Sequence, residues 1–226
     1  MTRVLNGYCG YLWASKFCGA FCTQQEELEL PYELKKYQRN PDGSAPPELV
    51  AVSPLGKSPL ITDGEVTLAE SGAIIDYIIA TYGNGRAVAK QSGYVDNLYF
   101  SHYAEGSLMP VLVLKFIFTV VPKKSPFFIR PFLGFVFGQL DKQLVQPQIV
   151  KHLRMIESHL EKSESIWFAG GEEPTAADYQ MAFPLEAVMS EIPDFVVNSP
   201  HIKKYVETVQ SRQVAVLLVV SKQTDS

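Results

Sequence analysis

Glu70 and Ser71 stand side by side at the head of an apolar helical repeat, with Lys57, Ser58 and Pro59 just upstream across a short hairpin. The first turn of a helix offers unpaired N–H groups and the positive end of the backbone dipole, which suit a carboxylate. The Ser71 hydroxyl would serve the same anion, and Glu70 would supply a counter-charge for an ammonium group. An α-amino-acid head carries both. Pro59 cannot donate to a strand ladder and belongs at a strand's first position or at an edge. With a cis bond between Ser58 and Pro59, the chain turns sharply and the Ser58 N–H and C=O face outward, where an extended peptide would pair with them. Lys57 could hold a second, distant carboxylate. Singly, these residues have plainer readings: Glu70-Ser71 as a helix cap, Lys57 as a solvated lysine, Pro59 as a turn. Their order and spacing together describe a cradle for an extended, two-ended peptide.

The elements that must hold this cradle fall into two kinds. YELKKYQR (32–39) alternates as a half-exposed strand does, and NPDGSAPP (40–47) is turn chemistry. PLITDGEVTL (59–68) reads as two short strands joined at Asp63-Gly64. In ESGAIIDYIIATYG (70–83), Ile74, Ile75, Ile78, Ile79 and Tyr82 form a helical stripe that stops at Gly83. The polar, Gly-bearing stretch 84–92 is the expected linker, dividing a first domain over 1–83 from an all-helical one over 93–226. In the second, Leu140, Leu144, Ile149, Leu153, Ile156 and Leu160 recur at helical spacing, with Pro147 expected to kink or split the helix. Thr175 and Asp178 have the spacing of a reciprocal capping box, and Ser199-Pro200 that of another helix start. These are structural devices.

Composition narrows the classes. The chain has 226 residues and a net charge of −4, so no basic surface argues for nucleic acid. Cys9, Cys18 and Cys22 all fall near the start, an odd set that does not describe a disulfide scaffold; a reducing, cytoplasmic compartment is expected. PVLVLKFIFTVV (110–121) and FFIRPFLGFVFG (127–138) are strongly apolar, but each is interrupted by cations and neither alone reaches the ~18 unbroken residues of a spanning helix. Buried or groove-lining helices are expected there. The alternative is peripheral membrane docking through the basic turn PKKSP.

SPLGKSPLITDGEVTLAESGAIIDYI (53–78) resembles the glutathione-binding signature of the glutathione S-transferase superfamily, in particular its fungal Gtt-type and theta-like branch. HYAEGSLMP (102–110), FAGGEEPTAADYQMAFPLEA (168–187) and PHIKKYVETVQSR (200–212) resemble that family's helical domain, so the likeness runs from about Glu26 to Arg212. It implies an α+β two-domain chain: a thioredoxin-like N-terminal domain, an all-α C-terminal domain, and a homodimer. It further implies that the Ser58 backbone pairs with the cysteinyl part of glutathione beside Pro59. Glu70 and Ser71 would hold the γ-glutamyl head and Lys57 the glycyl end. Glutathione would be the co-substrate, with no metal.

The implied chemistry is thiolate activation. A free thiol of pKa near 8.5 is only about 3% ionised at pH 7, and lowering that pKa by ~2 units costs about 2.7 kcal/mol of differential interaction. The thiolate would attack a hydrophobic electrophile in a cleft lined by His102, Tyr103, Leu108 and Met109, although inter-domain packing is the plainer role for each. Detoxification, with peroxidase activity beside it, is the implied function. The start of the chain departs from the family. Lys16 and Cys18 stand where two serines are usual, Ser15 is close by, and Gln24 and Gln25 replace buried leucines. Residues 1–25 are therefore expected to be atypical, through exon change or a misassigned gene model, leaving the sheet without a proper central strand. Cys18 and Ser15 are the candidate activating residues. A catalytically impaired binding protein of the same fold, and a thiol transferase working through a Cys18 mixed disulfide, are the alternative functions.

Overall fold

The structure is a computed structural model that describes residues 5–10, 28, 30, 32–38 and 40–224. Its sheet has four strands: β1 (Leu5–Gly10), β2 (Tyr32–Tyr37), β3 (Leu60–Asp63) and β4 (Val66–Ala69), in the order β2-β1-β3-β4. β1 runs parallel to β2, with Leu5 opposite Tyr32 and Gly10 opposite Tyr37. It runs antiparallel to β3, with Asn6 opposite Thr62 and Tyr8 opposite Leu60. This corrects the expected loss of a central strand. LNGYCG fills that place because a ladder is closed by backbone groups, which any non-proline residue supplies whatever its apolar pattern. The β3–β4 loop is Gly64-Glu65, one residue beyond the expected Asp63-Gly64. Gly64 takes φ +59° at the first central position, as a tight hairpin requires, and Asp63 pairs with Val66.

Helices cover both faces of this sheet. Side chains alternate along a strand, so consecutive residues of β3 serve opposite layers. Leu60 is fully buried against Leu49 of α1 (Pro47–Val52). Ile61, equally buried, packs on Ile74 and Ile78 of α2 (Ser71–Tyr82). At the end of β3, the buried Asp63 carboxylate accepts hydrogen bonds from Tyr77 Oη at 2.6 Å and from Tyr82 Oη, fixing α2 against the strand. This is a thioredoxin-like arrangement.

The rest is helical: α3 (Tyr94–Tyr103), α4 (Met109–Lys124), α5 (Arg130–Leu140), α6 (Gln146–Lys162), α7 (Ala176–Glu191) and α8 (Pro200–Thr224). α3 and α4 join through a π-turn at Ala104–Leu108, and α5 and α6 through another at Asp141–Val145. A π-turn inserts one residue and rotates every later side chain. The second one explains why Leu144, expected in the stripe, is 51% exposed while Val145 is fully buried ahead of Ile149, Leu153, Ile156 and Leu160. Pro147 follows directly on that π-turn, as the second residue of α6, inside a helical path that continues from α5.

α7 is the central helix, buried without a break from Ala176 to Leu185. Its start is the expected capping box, with the Thr175 N–H donating to Asp178 Oδ2 at 2.8 Å. The Phe168 N–H donates to Asp178 Oδ1 at 3.0 Å, so one carboxylate joins the helix start to the preceding loop. Burial pushes that carboxyl up to about 6, against the hydrogen bonds that favour its ionised form. At the start of α8, Glu157 of α6 takes the N–H groups of His201 and Ile202, each at 3.0 Å. α8 continues through Thr224, beyond Arg212 where the resemblance ends.

Between the domains, Ile75, Ala87, Ala176 and Tyr179 form one buried seam. The 3-10 turn Gln91–Gly93, α3, the π-turn and α4 make a single helical rod, Gln91–Lys124, long and apolar enough by composition to cross a membrane, which the run 110–121 read alone does not show. Only 22% of its most apolar stretch is buried.

Candidate functional site

The first turn of α2 opens into a cleft of about 740 Å³ between the two domains. The first intrahelical bond there runs from the Ile74 N–H to the Glu70 carbonyl at 3.0 Å, and no side chain caps the helix. The N–H groups of Ser71, Gly72 and Ala73 therefore precede the ladder, and all three residues line the cleft. Glu70, immediately before them, has φ +74° and ψ 121°, outside the left-handed well that non-glycine residues occasionally occupy. Such a conformation costs of order 1–3 kcal/mol and is characteristic of functional sites.

Lys57, Ser58, Pro59, Glu70 and Ser71 all line this one cleft, and the Ser58–Pro59 bond is cis. β3, β4 and their tight turn bring the two ends of the quoted stretch together. His102, from the last turn of α3, lines the opposite wall. Tyr103, Leu108 and Met109 do not line it. They are 7%, 0% and 6% exposed and belong to the core of the helical domain itself, not to the packing between the domains. For Leu108 and Met109 the π-turn is the cause: it sends Ala104 and Leu108 inward and leaves Glu105 and Gly106 on the cleft, while Tyr103 is already buried at the end of α3. Tyr103 Oη bonds His152 Nδ1 of α6, and burial raises the phenol's pKa while lowering the imidazole's, so both stay neutral. Ser15 and Cys18 lie outside the described residues.

The cleft also holds residues that sequence reasoning passed over. Asp76, one turn into α2, and Glu105 face it together with Glu70. Glu105 is raised from the usual carboxyl range by partial burial and then by the charge of Glu70. Asp76 is raised by partial burial, with His102 offsetting part of the effect. Gln180 of α7, only 5% exposed, reaches across the domain boundary to within 3.4 Å of Ser71 Oγ, a long contact. Its amide lies so close to Gly72 that a Cβ there would stand 2.8 Å from Nε2. The acidic residue three places after His102, helical spacing that puts the two on one face, was the available signal for Glu105. For Gln180 there was none.

The site thus has a helix N-terminus with a hydroxyl, three carboxylates nearby, and Lys57 at a distance. It suits a zwitterionic head and a second carboxylate. Comparison with known proteins identifies the family. Residues 20–80 match the family model of the glutathione S-transferase N-terminal domain, and residues 109–213 match that of its C-terminal domain. Glutathione S-transferase 3 of Schizosaccharomyces pombe is 34% identical over 191 residues, spanning 83% of this chain and 76% of that protein. The chain belongs to the glutathione S-transferase family.

Glutathione S-transferase 1 of Saccharomyces cerevisiae is 28% identical, covering 83% of each chain. Among solved transferases, one from Pseudomonas fluorescens with two glutathione bound superposes with a TM-score of 0.72 over 96% of this chain and 93% of its own, at 20% identity. One from Phanerochaete chrysosporium with oxidized glutathione has the same TM-score at 15% identity, over 100% and 99% of the two chains. At those identities the likeness concerns the fold. The N-terminal family match begins at residue 20, so the segment with Ser15 and Cys18 precedes it.

Proposed function

We propose that the cleft binds glutathione as an extended tripeptide and that the chain transfers its thiol to hydrophobic electrophiles. The observation that carries the reading is the uncapped start of α2 with Ser71 on a cleft that Glu70, Asp76 and Glu105 also face. The γ-glutamyl carboxylate takes the N–H groups and hydroxyl at Ser71, and its ammonium faces the acidic residues. The cysteinyl backbone runs along Ser58 beside Pro59, and the glycyl carboxylate ends near Lys57. Bound this way, the thiol lies between the sheet edge and the helical wall, where His102 stands. Thiolate formation falls to a donor in the first segment, with Ser15 and Cys18 as candidates. The names of the relatives favour transfer over ligand binding without turnover or thiol exchange.

Detoxification is the physiological role this chemistry serves, and peroxide reduction is a second outlet for the same thiolate. A thiol co-substrate suits a reducing compartment such as the cytoplasm. On α3, Tyr94, Val95, Leu98 and Tyr99 are 53%, 70%, 46% and 49% exposed, an apolar face that supports a homodimer. The test is calorimetric titration with glutathione of the wild-type chain and Ser71→Ala. Losing a hydrogen bond to a charged group weakens binding by about 1–3 kcal/mol, roughly 5- to 150-fold. An unaltered affinity would remove the head-group assignment.

A further inference from the structure

We propose that the tip of the α4–α5 hairpin docks the protein on an anionic lipid surface. Between Glu105 and Asp141 the sequence holds no acidic residue, while it holds Lys115, Lys123, Lys124 and Arg130 on a chain whose net charge is −4. Lys115 is neutralised internally: its Nζ lies 2.6 Å from Asp141 Oδ2, and both side chains are largely buried. The other three cations stand exposed at the tip, and among the described residues none pairs with a carboxylate. Arg130 is oriented there by its Nε–H bond to the Ser125 carbonyl at 2.7 Å.

Beside these cations, the tip exposes large apolar side chains. Phe127, Phe128, Phe132 and Phe135 are 81%, 70%, 68% and 67% exposed, and Phe116 and Ile117 on α4 continue the patch at 40% and 42%. A soluble protein rarely leaves so many aromatic residues together in water. Aromatic side chains mixed with lysine and arginine are what a bilayer interface accepts, the rings among the upper acyl chains and the cations among the headgroups. The lack of acid in the hairpin selects an anionic surface over a neutral one. Geometry also fixes the mode. From Lys115 to the end of α4 is about ten residues, or about 15 Å, roughly half the ~30 Å hydrocarbon core. Below that point, the rod packs into the domain core through Leu112, Met109 and Phe100. The arm therefore lies in the interface and does not cross it. Glutathione binding is not needed for this, because the tip and the cleft share no residue.

The test is co-sedimentation of the full chain with vesicles of phosphatidylcholine, with and without phosphatidylserine. The expected result is binding that requires phosphatidylserine and falls with salt. Each cation near an anionic surface is worth about fivefold in partitioning. Lys123→Glu, Lys124→Glu and Arg130→Glu combined should weaken partitioning at least about 100-fold, and Phe127→Ser with Phe128→Ser at least about tenfold. Turnover in solution should be unchanged in both variants. Phe127→Trp, which keeps the surface intact, should gain a fluorescence blue shift on phosphatidylserine vesicles. No vesicle binding, equal binding to both compositions, or unshifted Phe127→Trp emission would overturn the proposal. So would a serine variant that dissociates a larger oligomer of a wild type that ignores vesicles, since the patch would then be covered by a second copy.

Discussion

Glu70 holds both the charge proposed to face the ligand's ammonium group and a backbone conformation that its own side chain disfavours, so replacing it should move stability and binding in opposite directions. At φ +74° and ψ 121°, the residue stores of order 1–3 kcal/mol that glycine would not. Glycine returns about 0.5–1 kcal/mol of that through the greater freedom of its unfolded chain. Glu70→Gly should therefore stabilise the ligand-free protein by up to about 2 kcal/mol. The same change removes the carboxylate opposite the ammonium group, a charged hydrogen bond worth about 1.5–3 kcal/mol, so glutathione affinity should fall roughly 10- to 150-fold. Glu70→Gln keeps the strain and removes the charge: stability should hold while affinity drops. Urea unfolding gives the first quantity and calorimetric titration the second. A Glu70→Gly variant that is less stable than wild type would refute the strain argument. Undiminished affinity in both variants would refute the assignment of the ammonium group to this residue.

Two further outcomes follow from the packing. Asp178 has its pKa raised on folding from 3.8 to about 6, so its contribution to stability is fully present below pH ~4 and is lost as pH rises through 6. At 1.36 kcal/mol per pKa unit, about 3 kcal/mol should disappear between pH 4 and 7. The wild type minus Asp178→Asn difference in unfolding free energy should fall across that window, and a flat or rising difference would mean that the donors to Asp178, the Thr175 and Phe168 N–H groups and the Thr175 hydroxyl, outweigh burial. At Gly93, where α3 begins, an added Cβ would lie 1.9 Å from the Ala169 carbonyl oxygen, with backbone on both sides. Gly93→Ala should destabilise by more than about 3 kcal/mol, at the severe end for single substitutions, and a thermal midpoint within a few degrees of wild type would contradict that close approach.

What the sequence disclosed was what local chemistry fixes. The Gly64 turn, the isoleucine stripe of α2 and the Thr175–Asp178 cap each depend on residues within a few positions of one another, and each stands in the structure with at most a one-residue shift. The residues of the stretch 53–78 meet at the cleft for the same reason, since one short hairpin folds its two ends together. The π-turns were not legible, because no residue type demands them, and each shifted a register: Leu108 and Met109 into the core, Leu144 out of it, Glu105 onto the cleft. Gln180 lies 109 positions from Ser71 in the chain, and only the packed domains bring them together. β1 is not legible from apolar alternation, because a central strand needs only backbone pairing on both sides, which LNGYCG supplies.

The seam of Ile75, Ala87, Ala176 and Tyr179 has a consequence for the economy of the whole molecule. Ile75 on one side packs with Ala176 and Tyr179 on the other, and the cavity beside them takes a wall from each half. Whatever occupies that cavity therefore acts as a rivet: its binding free energy is added to the attachment of one half to the other, about 2.7 kcal/mol at a hundredfold excess over the dissociation constant. With the proposed tripeptide as occupant, the attachment of the two halves strengthens with the abundance of a molecule that the chain does not encode.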